Sequence, residues 1–246
     1  MNYLIFVGVE SLGYQLYLCK KTMRSFFSKF KIFGIALLAL SSVILYLFYN
    51  ALQPEKKLPI YQPVDFNEEL VDQSLLHKKK YHTVADFSLI NQNGKTVTQK
   101  DYEGKIYVTD FFFTTCQTIC PVMTKNMVAI QDIIKNDDAV MLLSHSVTPK
   151  IDSVAQLKKY ALEKGVLDNK WNLVTGDKKQ IYDLARKSYM AVKTDPNIDP
   201  YSMIHTENFI LVDKEKRIRG TYDGTNEEDI EKLIQDIEIL KSSYTD

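Results

Sequence analysis

Two cysteines with three residues between them, Cys116 and Cys120, stand in the stretch FTTCQTICPVM (113–123), with Pro121 directly after the second. Thiols so spaced can close a small disulfide, work as a redox couple, or hold a soft metal. The residues ahead of them, KIYVTDFFF (105–113), are apolar, β-branched or aromatic and read as a buried strand, while VMTKNMVAIQDIIK after Pro121 carries apolar residues at helical spacing. Proline suits a first helical turn because its missing N–H would have no partner there. The pair is therefore expected at a helix N-terminus, where free backbone N–H groups and the macrodipole favour thiolate, the form that attacks disulfides and binds soft metals. A spacing of four also brings the two side chains to one side of a helical or near-helical loop.

Two thiolates rarely close a metal site alone, and the sequence offers four histidines as a third donor. His77, ahead of a run of lysines, and His82, at the start of the domain, have polar neighbours and are expected in solvent. His145, in LLSHSV, reads as a partly buried, hydrogen-bonded histidine. His205, in DPYSMIHTENFILVD, comes just before an apolar strand, so its imidazole can project from a loop over the sheet edge where the cysteine loop also lies. The residues alone leave it open between ligand and structural histidine. Phe111 to Phe113 and Met123 stand near the cysteines but read as core, since aromatics in a strand and a methionine at helical spacing belong there.

The elements that must position these groups alternate. A hairpin is expected around Asn93-Gly94. The cysteine strand and helix come next, then AVMLLSHSV as strand, DSVAQLKKYALEKG as helix ending at Gly165, WNLVTG as strand and DKKQIYDLARKSY as helix. ENFILVD and RIRGTYDG form two strands about the charged turn KEK, and NEEDIEKLIQDIEILKSS is an amphipathic helix. Strands and helices in this order imply an α/β domain, a central mixed sheet covered by helices.

The chain of 246 residues is 45% hydrophobic and 25% charged, with Lys+Arg and Asp+Glu both 31. That balance suits one globular domain plus an anchor, and neither the charge nor any basic, aromatic-interleaved stripe favours nucleic acid. Ile32 to Tyr49 carries no charge over 18 positions and nearly spans a hydrocarbon core at about 1.5 Å per residue. Its upstream flank holds Lys20, Lys21, Arg24, Lys29 and Lys31, whereas the first basic residues downstream are Lys56 and Lys57. The positive-inside rule keeps the upstream end in the cytoplasm and sends everything after about Asn50 outside. The run is longer than a usual signal-peptide core and FYNALQP has no small-x-small cleavage site, so an uncleaved anchor is expected. Tyr3 to Leu18, interrupted by Glu10, is either a marginal extra span or sequence upstream of a start at Met23. The expected organisation is a cytoplasmic segment 1–31, an anchor 32–50, a proline-punctuated linker 51–80 and a domain 81–246. Of the three cysteines, Cys19 falls on the cytoplasmic side, which leaves a single pair in the exported domain. One pair is too few to staple a domain large enough to bury its own core.

Four segments together resemble the Sco/SenC family, membrane-anchored thioredoxin-like proteins of cytochrome c oxidase copper assembly. They are KIYVTDFFFTTCQTICPVMTKNM, SHSVTPKIDSVAQLKKYALEKG, WNLVTGDKKQIYDLARKSY and HTENFILVDKEKRIRGTYDG, and the likeness runs in order over roughly residues 80 to 240. The resemblance implies a thioredoxin-like fold and copper ligands at Cys116, Cys120 and His205, with Cu(I), Cu(II) or both as the metal. It also implies the copper-site subunit of cytochrome c oxidase as acceptor, possible supply by another copper chaperone, and a place on the periplasmic side of the inner membrane by a single span. Two positions depart from the family pattern. Thr148 stands where the family commonly has Asp in Ser-Val-Asp-Pro, and Gln117-Thr118-Ile119 lacks the Pro-Asp often found between the cysteines.

A second reading is a thiol-disulfide oxidoreductase that acts on a partner's cysteines through Cys116 and Cys120, a role also discussed for the family. Dedicated enzymes of that kind use two intervening residues, whereas three here, with a candidate imidazole, favour copper. A peroxidase is disfavoured because Phe113 occupies the position of the threonine that pattern needs. Structural zinc usually closes with four protein ligands, and a structural disulfide here would close so small a loop that little entropy is gained. All three ligands are expected on a rim, so their replacement by alanine leaves the domain folded.

Overall fold

The computed structural model describes residues 30–52, 57–67, 70–75, 80–192 and 206–244. It divides into two compact units, Met1–Glu55 and Lys56–Asp246. In the first, helix α1 (Lys31–Ala51) is apolar on every side, and its described side chains are exposed. Ser41 and Ser42 donate their hydroxyl hydrogens back to the Leu38 carbonyl at 3.0 and 2.8 Å, which removes free polar hydrogens from the run. At about 1.5 Å per residue it is roughly 30 Å long, the thickness of a hydrocarbon core, so it fits a transmembrane helix.

The second unit is built on a seven-stranded mixed sheet. Its strands are β1 (Ser88–Asn91), β2 (Thr96–Thr98), β3 (Ile106–Phe112), β4 (Val140–Ser146), β5 (Trp171–Thr175), β6 (Asn208–Val212) and β7 (Ile218–Asp223). They lie in the order β2-β1-β5-β4-β3-β6-β7, with β3, β4 and β5 parallel and the remaining pairs antiparallel. The parallel strands at the centre are buried along nearly their whole length, as strands covered on both faces must be. Helices α2 (Cys120–Ile134), α3 (Val154–Lys164), α4 (Lys178–Asp183) and α5 (Glu227–Ser242) complete the domain. Met123, Met127 and Ile130 of α2, Leu157 of α3, and Leu233, Ile237 and Leu240 of α5 fill one core cluster. Ile181 and Tyr182 of α4 fill the other with Val84, Phe87, Tyr102 and Tyr189. This is the mixed sheet covered by helices that the order of elements implies, in the thioredoxin-like arrangement that the resemblance implies.

Local chemistry sets the boundaries. Gly94, at φ +72°, closes the β1–β2 hairpin. Ser153 caps α3 by accepting the Gln156 N–H, and Gly165, in the left-handed conformation at φ +75°, ends it. Helix α4 passes into a single π-helical turn over Leu184–Ser188, where the periodicity had suggested one continuous α-helix.

The domain also takes in part of the expected linker. Residues 57–67 and 70–75 pack on it: Pro63 and Val71 are buried, and Tyr61 bridges to Ile218. The Arg219 guanidinium donates to the carbonyls of Leu58 and Pro59 at 2.6 and 2.8 Å. Prolines and charges made this stretch read as a tether, but its few apolar side chains find partners far along the chain.

Candidate metal and redox site

The cysteine loop spans the gap between the end of β3 at Phe112 and the start of α2 at Cys120. No side-chain oxygen caps α2. Its first N–H donors find other partners: Val122 and Met123 donate to the Ile119 carbonyl at 3.0 Å, and the Cys120 N–H donates to Cys116 Sγ at 3.4 Å. The Cys116 sulfur thus stands where a capping oxygen would, at the positive end of the helix. The Thr118 hydroxyl lies 3.6 Å from the same sulfur. Both cysteines are free thiols.

Their exposures differ. Cys116 is partly exposed, whereas Cys120 is buried, 3% exposed, within the α2 face of the core. The expectation that both thiols sit on a rim is therefore corrected for Cys120, because the first turn of the helix that carries it is buried in the core cluster that holds Met123 and Phe112. Burial pushes Cys116 up, but hydrogen bonds from Cys120 and Thr118 outweigh it and bring the thiol down to about 7. Burial pushes Cys120 up to about 12, and its hydrogen bond to Cys116 and the nearby charges of Cys116 and Asp110 add to the rise. Near neutral pH Cys116 is about half thiolate, and Cys120 beside it is held protonated.

Asp110, 3% exposed on β3, is an acid that no motif in the sequence marks. Burial raises it to about 7, against the pull of the Ser144 hydroxyl, which donates to its carboxylate and itself accepts the Trp171 indole N–H at 2.8 Å. An acidic residue inside an otherwise apolar strand was the available signal, since a strand covered on both faces has no solvent side to offer it.

Among the described residues, no group of three His, Cys, Asp or Glu side chains gathers to hold a metal. His205 and His77 lie outside the described residues, as does Cys19. The chain just after His205 is described: the Thr206 hydroxyl accepts the Asn208 N–H, and the Glu207 carbonyl accepts the Gly224 N–H. Strand β6 runs antiparallel to β3 with Thr109 opposite Ile210, so the chain enters β6 at the sheet end where the cysteine loop leaves β3.

The other two histidines are structural. His145 is fully buried, its Nδ1 3.1 Å from Thr109 Oγ1 and its ring stacked 4.9 Å from that of Phe111, and burial lowers it to about 3. His82, expected in solvent, is 3% exposed and its Nε2 lies 2.8 Å from the Ser188 carbonyl. Its polar sequence neighbours misled because the partner that buries it is 106 positions away. Phe111, Phe112 and Met123 are core, as read, whereas Phe113, just past the strand end, is only partly buried against it.

Comparison with known proteins adds to this geometry. The family model described as SCO1/SenC matches residues 76–242. The SCO1 protein homolog of Bacillus subtilis (strain 168) is 32% identical over 158 residues, which cover 63% of this chain and 81% of that protein. Among solved structures, BsSco is described as having a disulfide switch and as a member of the Sco family of cytochrome c oxidase assembly proteins. It superposes with a TM-score of 0.56 at 30% identity, covering 65% of this chain and 94% of its own. Arabidopsis thaliana ScoI with copper bound superposes with a TM-score of 0.52 at 27% identity, covering 66% and 99%.

Proposed function

Because the chain belongs to the SCO1/SenC family, we propose that it is a membrane-anchored copper protein of cytochrome c oxidase assembly. In this reading it holds copper on Cys116, Cys120 and His205 and passes it to the copper-site subunit of the oxidase. The observation that carries the reading is the dithiol itself: two sulfurs at one helix start, one of them ionised near neutral pH. Soft thiolates select Cu(I), an imidazole completes a three-coordinate site, and the same donors accept Cu(II) with changed geometry. The copper-bound relative supports copper as the metal. Copper is cargo here: an acceptor's sulfurs replace the chain's own one at a time, and the metal leaves in the oxidation state in which it came.

In this reading residues 1–31 are cytoplasmic, 32–50 are a single span of the inner membrane, and 51–80 connect it to the working domain 81–246 on the periplasmic side, with 57–67 and 70–75 of that connection packed on the domain. A second copper chaperone would supply the metal. The span rests on α1, and the orientation on the basic residues ahead of it.

The unequal thiols favour one second reading, reduction of a partner's disulfide. Cys116 thiolate attacks one partner sulfur, forming a mixed disulfide and releasing the other sulfur as a thiolate. Cys120 then attacks the Cys116 sulfur and displaces the partner's remaining sulfur, its one proton passing to one of the two released partner thiolates. Two electrons move to the partner, and Cys116–Cys120 is left as the disulfide.

A Cu(I) competition titration of the reduced full chain in detergent micelles, beside His205→Ala, tests the first reading. Tight one-to-one binding weakened by at least about tenfold in the variant is expected. Binding with unchanged affinity in His205→Ala would remove the histidine from the site. No tight binding in either protein would leave thiol exchange as the working function.

A further inference from the structure

Asp152, in the turn ahead of α3, is a fully buried carboxylate that neither copper binding nor thiol exchange uses directly. Its oxygens accept four hydrogen bonds. Oδ1 takes the Thr114 hydroxyl at 2.6 Å. Oδ2 takes the Thr114 backbone N–H at 3.2 Å, the Ser146 hydroxyl at 2.6 Å and the Thr148 hydroxyl at 3.0 Å. The Gln156 side-chain amide, from the first turn of α3, donates to Thr114 Oγ1 at 3.0 Å. One carboxylate thereby ties together the loop after β3, the end of β4 and the turn before α3.

Thr114 is the member of this cluster that leads to the site. It lies beyond the end of β3, so no ladder hydrogen bond holds it, and it is two residues ahead of Cys116. It is fixed instead at its backbone N–H and on both sides of its hydroxyl, which donates to Asp152 and accepts from Gln156. A carboxylate suits this place because it is an acceptor only, with lone pairs for all four donors. An amide would turn N–H groups toward hydroxyl and N–H donors. Thr148, which stands where the family commonly has Asp, here supplies one of those donors.

We propose that Asp152 is a positioning residue for the Cys116–Cys120 dithiol: through Thr114 it fixes where the cysteine loop begins, and so the geometry in which the two sulfurs grip one copper ion or close one disulfide. The inference rests on the reading of the dithiol as the working site. The bonds from Ser146 and Thr148 serve the turn alone, so the decisive test acts on Thr114. Thr114→Val keeps the branched shape and removes the hydroxyl, and Thr114→Ser keeps the hydroxyl.

The full chain and its Thr114→Val, Thr114→Ser and Asp152→Asn variants, in detergent micelles, are equilibrated with glutathione. The protein dithiol and glutathione disulfide exchange to give the protein disulfide and two reduced glutathiones. One S–S bond forms as another breaks, two electrons pass to glutathione, and each glutathione sulfur takes up one of the protons released. Thr114→Val and Asp152→Asn are expected to lower this equilibrium constant about tenfold and to weaken Cu(I) binding by a similar factor, as loss of a ligand-orienting contact does. Thr114→Ser should stay near the parent value. If Thr114→Val matches the parent in both measurements, Asp152 is a turn-stabilising residue and the inference falls, even where melting temperature drops. Should Asp152→Asn fail to fold, the Thr114 pair still decides. A parent that binds no Cu(I) refutes copper transport alone, because the glutathione equilibrium reads the dithiol without metal.

Discussion

Cys116 accepts the Cys120 N–H and lies beside the Thr118 hydroxyl, while Cys120 is packed among core side chains. The first arrangement favours the charged sulfur and the second disfavours it. Thiolate forms as pH rises through the thiol's own pKa, so a thiol brought down to about 7 reacts above neutrality and loses reactivity below it. Alkylation of the reduced chain with iodoacetamide, followed by mass spectrometry, should modify Cys116 with a half-maximal rate near pH 7 and Cys120 far more slowly. Thr118→Val should move the Cys116 half-maximum upward. The candidate pair was legible in the sequence because its signals are local: a spacing of four, a proline, a strand before and a helix after. The inequality of the thiols was not, because it depends on which backbone N–H reaches which sulfur.

Helix α2 carries the site and is bound to the chain just after His205 by a short relay. The Asn126 side-chain amide donates to the Gly224 carbonyl at 2.8 Å, and the Gly224 N–H donates to the Glu207 carbonyl at 2.6 Å. Gly224 has no room for a side chain: a Cβ there would lie 2.6 Å from the Phe209 ring and 2.9 Å from the Glu207 carbonyl oxygen. A backbone oxygen cannot swing aside, so Gly224→Ala is expected to lower stability by about 1–3 kcal/mol, the usual range for overpacking. Urea denaturation measures the loss, and an unchanged midpoint would show that the turn adapts freely. Among the elements, strands and helices were readable from period and punctuation, and Gly165 was recognised as a helix end. The π-helical turn after α4 was not readable, because tertiary packing rather than period produces it.

At the scale of the whole domain, Arg219 joins the linker to the sheet. It is 8% exposed, its Nη1 pairs with the buried Asp213 at 3.0 Å, and its other N–H groups hold the Leu58 and Pro59 carbonyls. Arg217 also pairs with Asp213, at 2.7 Å. Arg219→Ala is expected to lower stability by about 3 kcal/mol, the low end for breaking a buried pair, because Arg217 still neutralises part of the Asp213 charge. It should also speed tryptic cleavage after Lys57. Equal stability and equal cleavage would mean that residues 57–61 are held by packing alone.

By itself the sequence determined the apolar helix, the alternation of strands and helices, the paired thiols at a helix start and the likeness to one family. These are written in neighbouring residues, in periods of two and 3.6, in runs without charge and in a motif of fixed spacing. Only the tertiary structure decided which polar groups are buried and what they face: Asp110 against Ser144, Asp152 against Thr114 of the cysteine loop, His82 against Ser188, and a stretch of linker built into the domain. The physical reason is that burial and hydrogen-bond partnership belong to pairs brought together by folding. Ser144 for Asp110, Thr114 for Asp152, Ser188 for His82 and Arg219 for Leu58 lie 34, 38, 106 and 161 positions away, beyond anything a local pattern records.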